Sequence, residues 1–270
     1  MEILVLLFVF LLGTIIGSFL NVVIYRLGTG KSIIKGRSIC MTCNHKLRWF
    51  ELVPLFSFLF QSGKCRSCKS RISTQYPVVE FSTGIIFVLI ATKFISLLDI
   101  SFWSYVFVVA LFMFIFSILI VISVYDLRHK IIPDKLVYIF ILASFVSIFV
   151  NYSGQGHIFS FPTFANLISG PVLALPFVLI WYFSRGRLMG LGDGKLILGI
   201  GWLLGMLSGI CSLFLSFWIG TVASLIFMFF NRKKTTMKTE IPFAPFLIIG
   251  TLLTFFFSID LFSLLSIFSV

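Results

Sequence analysis

The sequence predicts an all-α polytopic membrane protein, with about eight transmembrane helices and a small polar insertion after the first. Three observations carry this. Hydrophobic residues make up 59% of the 270 positions and charged residues 11%, with a mean hydropathy of +1.13; no soluble fold of this length can hide that much apolar surface. Apolar runs of roughly 20 residues, the length that crosses a bilayer as a helix, recur from end to end. Lys and Arg gather in some connections and are almost missing from others, as membrane topology requires. The 35 Phe residues fit lipid-facing helices, and a codon bias explains them equally well.

The spans are read at 3–24, 81–98, 102–124, 136–150, 164–184, 196–208, 210–230 and 243–264, the sixth short and Gly-rich. The first begins with Glu2 and no basic cluster and lacks small-residue cleavage chemistry, so it is expected to remain as an anchor. Gly13 and Gly17 are four apart in it, and Gly201, Gly205 and Gly209 are four apart near the sixth span. That spacing lets helix backbones approach closely in lipid, so packing is the expected role. Residues 151–163, rich in turn formers, read as an outer loop.

Basic residues orient the chain. Ten fall between Arg26 and Arg71 against one acid, Glu51. Arg128, Lys130 and Lys135 follow the third span, Arg185, Arg187 and Lys195 the fifth, and Arg232, Lys233, Lys234 and Lys238 the seventh. With eight spans all four groups share one side, which the positive-inside rule makes cytosolic, leaving Lys93 toward the other side and both termini outside. The net charge of +12 is then explained by topology and contact with membrane lipid, with no need for nucleic acid as a partner.

Three regions follow: a first helix (1–25), a cytosolic loop domain (26–80) and a transmembrane bundle (81–270). The loop carries Cys40-x2-Cys43 and Cys65-x2-Cys68, 21 residues apart. Two such pairs can wrap one tetrahedral Zn2+ with four thiolates, as in zinc ribbons, and a site closed by four protein ligands is structural. Two disulfides or a redox thiol pair are the alternatives; a reducing cytosol disfavours the first. Cys211, alone in a span, reads as a packing residue, and His45 is not needed as a ligand.

Asp126 ends the third span and Asp193 precedes the sixth, both where an apolar run meets a basic loop. A carboxylate at that depth is costly unless paired or used. Two carboxyls brought together share a proton, so that one activates water while the other protonates or polarises a peptide carbonyl. Gly190, Gly192 and Gly194 around Asp193 are expected to supply backbone conformations closed to other residues and room for a substrate strand. Asp134 follows Pro133 and precedes an apolar run, and is expected to cap the fourth span. The non-catalytic readings are ion pairs of Asp126 with Arg128 or Lys130 and of Asp193 with Lys195. An ion-coupled transporter would also place acids in its spans, though nearer the midplane, and an assembly factor could use the cysteine loop for docking.

The order of motifs resembles the type IV prepilin peptidases, membrane aspartic proteases of the GxGD kind. The shared segments are Gly17-Ser-Phe-Leu-Asn-Val-Val-Ile-Tyr-Arg26, the paired CxxC loop, Tyr76-Pro-Val-Val-Glu80, Asp126-Leu-Arg-His-Lys-Ile-Ile-Pro-Asp134, Gly190-Leu-Gly-Asp193-Gly-Lys195 and Pro242-Phe-Ala-Pro-Phe246. The resemblance implies an enzyme of the bacterial inner membrane. It would remove the short basic leader of prepilins or pseudopilins at the cytosolic face and then methylate the new N-terminus with S-adenosylmethionine. It further implies Asp126 and Asp193 as the catalytic pair, Cys40, Cys43, Cys65 and Cys68 as zinc ligands, and Glu80 as a family position without an assigned step. Leu27-Gly28 stands where a proline commonly follows the first motif's arginine, and Ala244 where the last motif often has Gly; neither touches the acid pair.

Overall fold

The protein is described by a computed structural model over residues 2–150, 159–230 and 242–259. The helices among these residues are α1 (Glu2–Arg26), α2 (Phe56–Phe60), α3 (Gln75–Lys93), α4 (Phe102–His129), α5 (Asp134–Ser147), α6 (Phe164–Ser184), α7 (Leu191–Leu204), α8 (Met206–Phe230) and α9 (Ala244–Phe257). Extended pairing among the described residues is limited to isolated bridges. The basic cluster Arg232, Lys233, Lys234 and Lys238, residues 151–158 of the expected outer loop and residues 260–264 of the expected last span lie outside the described residues.

Among the described residues fewer helices than the expected eight have spanning length: α1, α3, α4, α6 and α8 are long and apolar enough to cross a membrane. The expected fourth, sixth and eighth spans are α5, α7 and α9, of 14 residues each. At 1.5 Å per residue that is about 21 Å, short of the roughly 30 Å hydrocarbon core. Local stops explain two of the lengths: Gly205 ends α7 with φ 79°, and Ser258 ends α9 in the left-handed region. The sixth span is also shifted, since α7 starts at Leu191 and α8 follows at Met206. Asp193 thus lies in the first turn of a helix rather than ahead of one.

The chain divides into two compact units: Met1–Ile95 with Phe112–Val121, and Ser96–Leu111 with Ile122–Val270. In the first, α1 and α3 meet through glycine. A Cβ on Gly13 would stand 2.7 Å from the Cα of Gly84, and one on Gly17 2.7 Å from the Cα of Glu80, so the expected small-residue packing holds. Asn21, buried, donates through its amide to the Gly17 and Tyr76 carbonyls at 3.3 Å and accepts from the Gln75 side chain. One turn on, Tyr25 stacks on Tyr76. Arg26 ends α1 by donating to the carbonyls of Ser32, Lys35 and Arg37, which gathers the start of the polar loop. The Gly17–Arg26 segment therefore packs a helix pair and anchors a loop.

In the second unit α6 and α7 cross at Gly170 and Gly201, where a Cβ on Gly201 would stand 2.7 Å from the Cα of Gly170. Ser169 donates to the Gly201 carbonyl at 2.8 Å and Trp202 to the Leu167 carbonyl at 2.9 Å. Gly209 packs against Leu173. Gly205 departs from the packing expectation, because its positive φ makes it the turn between α7 and α8. Between α8 and α9, Ser212 and Thr251 share a buried hydrogen bond of 3.2 Å.

Candidate active site and metal centre

Both aspartates belong to the second unit and line one cavity of about 790 Å3. Asp126 stands on the last turn of α4, only 4% exposed. Its carboxylate accepts a hydrogen bond from the Ala244 backbone N–H at the start of α9. Its Oδ2 is buried without a hydrogen-bond partner. Native structures rarely leave such an atom unmatched, and where they do a functional reason is the first to seek. Asp193 enters from the first turn of α7, half-buried, and is near enough to Asp126 to feel its charge. The rest of the wall comes from Ile131 and Ile132, the 186–192 segment, and Phe217, Pro242 and Phe243.

The glycines do not act as the sequence suggested. Gly190, Gly192 and Gly194 all lack the positive φ found elsewhere in the chain. Gly190 precedes α7 with ordinary extended angles, φ −73° and ψ 145°. What they supply is clearance. A Cβ on Gly192 would stand 3.0 Å from the Ile132 side chain, and one on Gly194 3.3 Å from Val178. At Gly190 the nearest atom would be the Asp193 carboxylate, at 3.6 Å.

Asp134 is not a side-chain cap. The extended Pro133 takes the entry position of α5 with no side-chain hydrogen bond. Asp134 is instead the first helical residue and accepts from the Lys195 ammonium at 2.7 Å. Lys195 also lies 4.9 Å from the Tyr138 ring centroid, a cation–π distance. The cation expected beside Asp193 is thereby turned toward Asp134, leaving the catalytic candidate to Asp126.

The cysteine loop lies in the first unit. The four Sγ atoms of Cys40, Cys43, Cys65 and Cys68 fall within 4.8 Å of one another, and none of the four is in a disulfide. A tetrahedron with Zn–S near 2.3 Å has edges of about 3.8 Å, and Cys40 and Cys68 stand 3.9 Å apart. The donor set fits zinc. The two knuckles repeat each other 25 residues apart: Cys40 N–H donates to His45 as Cys65 N–H does to Ser70, and Asn44 N–H donates to Cys40 as Lys69 N–H does to Cys65. Asn44 and Lys69 both take positive φ, and the bridges Ile39–Lys46 and Lys64–Arg71 close the two turns. The Cys43 backbone N–H, with help from Thr42 and Ser70, brings the Cys40 thiol down to about 6; the Ser70 hydroxyl and N–H lower Cys68. His45 faces Glu51 at 3.7 Å and stays outside the ligand set.

Glu80, buried on α3, accepts from the Leu55 N–H at 2.8 Å. Leu55 holds φ 61° and ψ −53°, a backbone region costly for a non-glycine residue. Glu80 therefore pins a strained turn of the polar loop to α3. The Ala244 N–H was missed by sequence reasoning, although a signal was present. Pro245 sits just inside the start of α9, a position that marks a helix N-terminus and hence unpaired N–H groups.

Residues 11–94 match the profile of the bacterial peptidase A24 N-terminal domain, and residues 113–225 that of the type IV leader peptidase family. A Bacillus subtilis prepilin leader peptidase/N-methyltransferase is 30% identical over 92% of each chain. This chain belongs to the type IV leader peptidase family. A Vibrio cholerae protein of the same name is 31% identical over 91% of this chain and 94% of its own. A Myxococcus xanthus one is 41% identical over 126 residues, covering 47% of this chain and 35% of that relative. No solved structure matches. The N-terminal domain match holds the glycine pair, the cysteine loop and Glu80, and the leader peptidase match holds both aspartates.

Proposed function

We propose that this membrane protein is an aspartic endopeptidase that removes the leader of prepilins or pseudopilins, with Asp126 and Asp193 as its catalytic pair. The observation that carries the reading is the shared cavity, with Asp126 Oδ2 buried and unmatched inside it. In this reading one carboxylate takes a proton from water as its oxygen attacks the scissile carbonyl carbon. The other carboxyl hydrogen-bonds the carbonyl oxygen and later protonates the leaving nitrogen. Asp134 and Lys195 form a supporting pair in the wall, and Gly190 and Gly192 leave room for the substrate backbone. The membrane placement suits such substrates, because a leader that ends where an apolar helix emerges presents its scissile bond at the interface.

The relatives' name also includes an N-methyltransferase. On that reading the freed N-terminal amine attacks the methyl carbon of S-adenosylmethionine, S-adenosylhomocysteine leaves, and the amine loses a proton. Residues 26–80 form the domain that holds one Zn2+ through Cys40, Cys43, Cys65 and Cys68. The zinc is structural and takes no part in cleavage. In this reading the domain and the aspartates face the cytosol of the bacterial inner membrane, and the Lys- and Arg-rich connections beside them support that orientation. The transporter alternative has no support in the family match.

Mass spectrometry of a prepilin coexpressed with the enzyme tests both activities. The expected product lacks its leader and is one methyl heavier at the new N-terminus. An intact leader would overturn the peptidase reading, and a cleaved but unmethylated product would remove the transfer step alone.

A further inference from the structure

Alongside its cysteine knuckles the polar loop carries a second feature that the peptidase reading does not use. A cavity of about 860 Å3 opens there, lined by the apolar Phe50, Val53, Phe56 and Phe60, by the cations Lys64, Arg66 and Lys69, and by Cys65 of the cysteine cluster. The Arg66 guanidinium lies 5.4 Å above the centre of the Phe50 ring, which holds a cation over part of the apolar lining. In the same segment Trp49 is 80% exposed, Leu59 70% and Phe60 86%, and Phe60 also lines the cavity. Exposed apolar side chains this close in sequence, from Trp49 to Phe60, give the polar domain an apolar ridge, the kind of feature that marks a contact surface.

We infer that this ridge and cavity form a docking site for anionic phospholipid, seating the zinc loop on the membrane surface. Three observations favour a lipid surface. The loop is tied at both ends to helices long enough to cross the bilayer, α1 and α3, so its ridge cannot stray far from a headgroup layer. The charge is complementary: ten basic residues against Glu51 between Arg26 and Arg71, with Glu51 itself buried and accepting from the Arg48 N–H. An aromatic and aliphatic face bounded by Lys and Arg is also the composition that binds at an interface. A basic leader peptide would meet repulsion here.

Hydrogen–deuterium exchange of the full-length protein over residues 47–62 tests the site in nanodiscs of phosphatidylglycerol and of phosphatidylcholine. Slower exchange is expected in phosphatidylglycerol, with each cation removed at Lys64, Arg66 or Lys69 lowering occupancy about fivefold. K64Q, R66Q and K69Q leave the four cysteines in place, and zinc content checks that the loop remains folded. Where a variant loses zinc, the wild-type comparison of the two lipids decides. Equal exchange in both lipids, protection already complete in detergent, or protection that appears only on adding a prepilin would overturn the proposal. Because cleavage is not the readout, an inactive catalytic pair would leave this result unchanged.

Discussion

Two gatherings of ionisable side chains in the protein, the cysteine cluster and the aspartate pair, are built on opposite terms. In the cysteine loop every ligand has three like partners and its backbone hydrogen bonds are closed by a repeated turn. Around Asp126 and Asp193 there are two acids and an oxygen with no partner. Four matched donors leave no valence for a substrate, which is what a structural metal centre needs. A pair with an unmatched atom in an open cavity can still accept water and a peptide bond. The lesson is that satisfaction, more than residue type, separates a staple from a reactive site.

The largest expected effect breaks the reactive half. Asp126→Asn or Asp193→Asn should lower leader cleavage by about 10^3-fold or more, read on blots of a coexpressed prepilin. Survival of cleavage in either variant would dissolve the pairing. Next comes the staple: Cys65→Ala should reduce zinc from about one per chain to none and expose residues 26–80 to protease. Its cleavage should fall less than in the aspartate variants, since the first unit holds none of the acids lining the cavity. If it falls equally, the contrast between the two gatherings fails.

A smaller effect tests packing. Gly13→Leu and Gly201→Leu place side chains where backbone stands 2.7 Å away. Each should destabilise its helix pair by about 1–3 kcal/mol, seen as a lower unfolding temperature. The smallest effect belongs to Asp134→Asn, which weakens a partly exposed ion pair with Lys195. Cleavage should change no more than about fivefold; a loss as deep as that of Asp126→Asn would make Asp134 a catalytic residue.

Much of this was legible in the sequence because it is periodic or local. The five long spans are apolar runs, the CxxC pairs are spaced for a metal, and Gly13 and Gly17 sit one helical turn apart. Other features depend on partners far along the chain. Lys195 meets Asp134 across 61 residues, and Glu80 meets Leu55 across 25. The Ala244 N–H that reaches Asp126 is backbone, which no side-chain pattern displays. The glycine-rich run before Lys195 reads as a loop by propensity, yet packing against Ile132 and Val178 makes it the first turn of α7.

Gly190 separates two demands that most glycines combine. Its backbone angles are open to any residue, and a methyl there would strike no wall. Its nearest neighbour would be the carboxylate of Asp193. The position is therefore free as far as folding is concerned, and on the proposed peptidase reading the hydrogen in place of a side chain leaves a lane open to the acid. A side chain at this one position would therefore cost the fold nothing and would crowd only the acid.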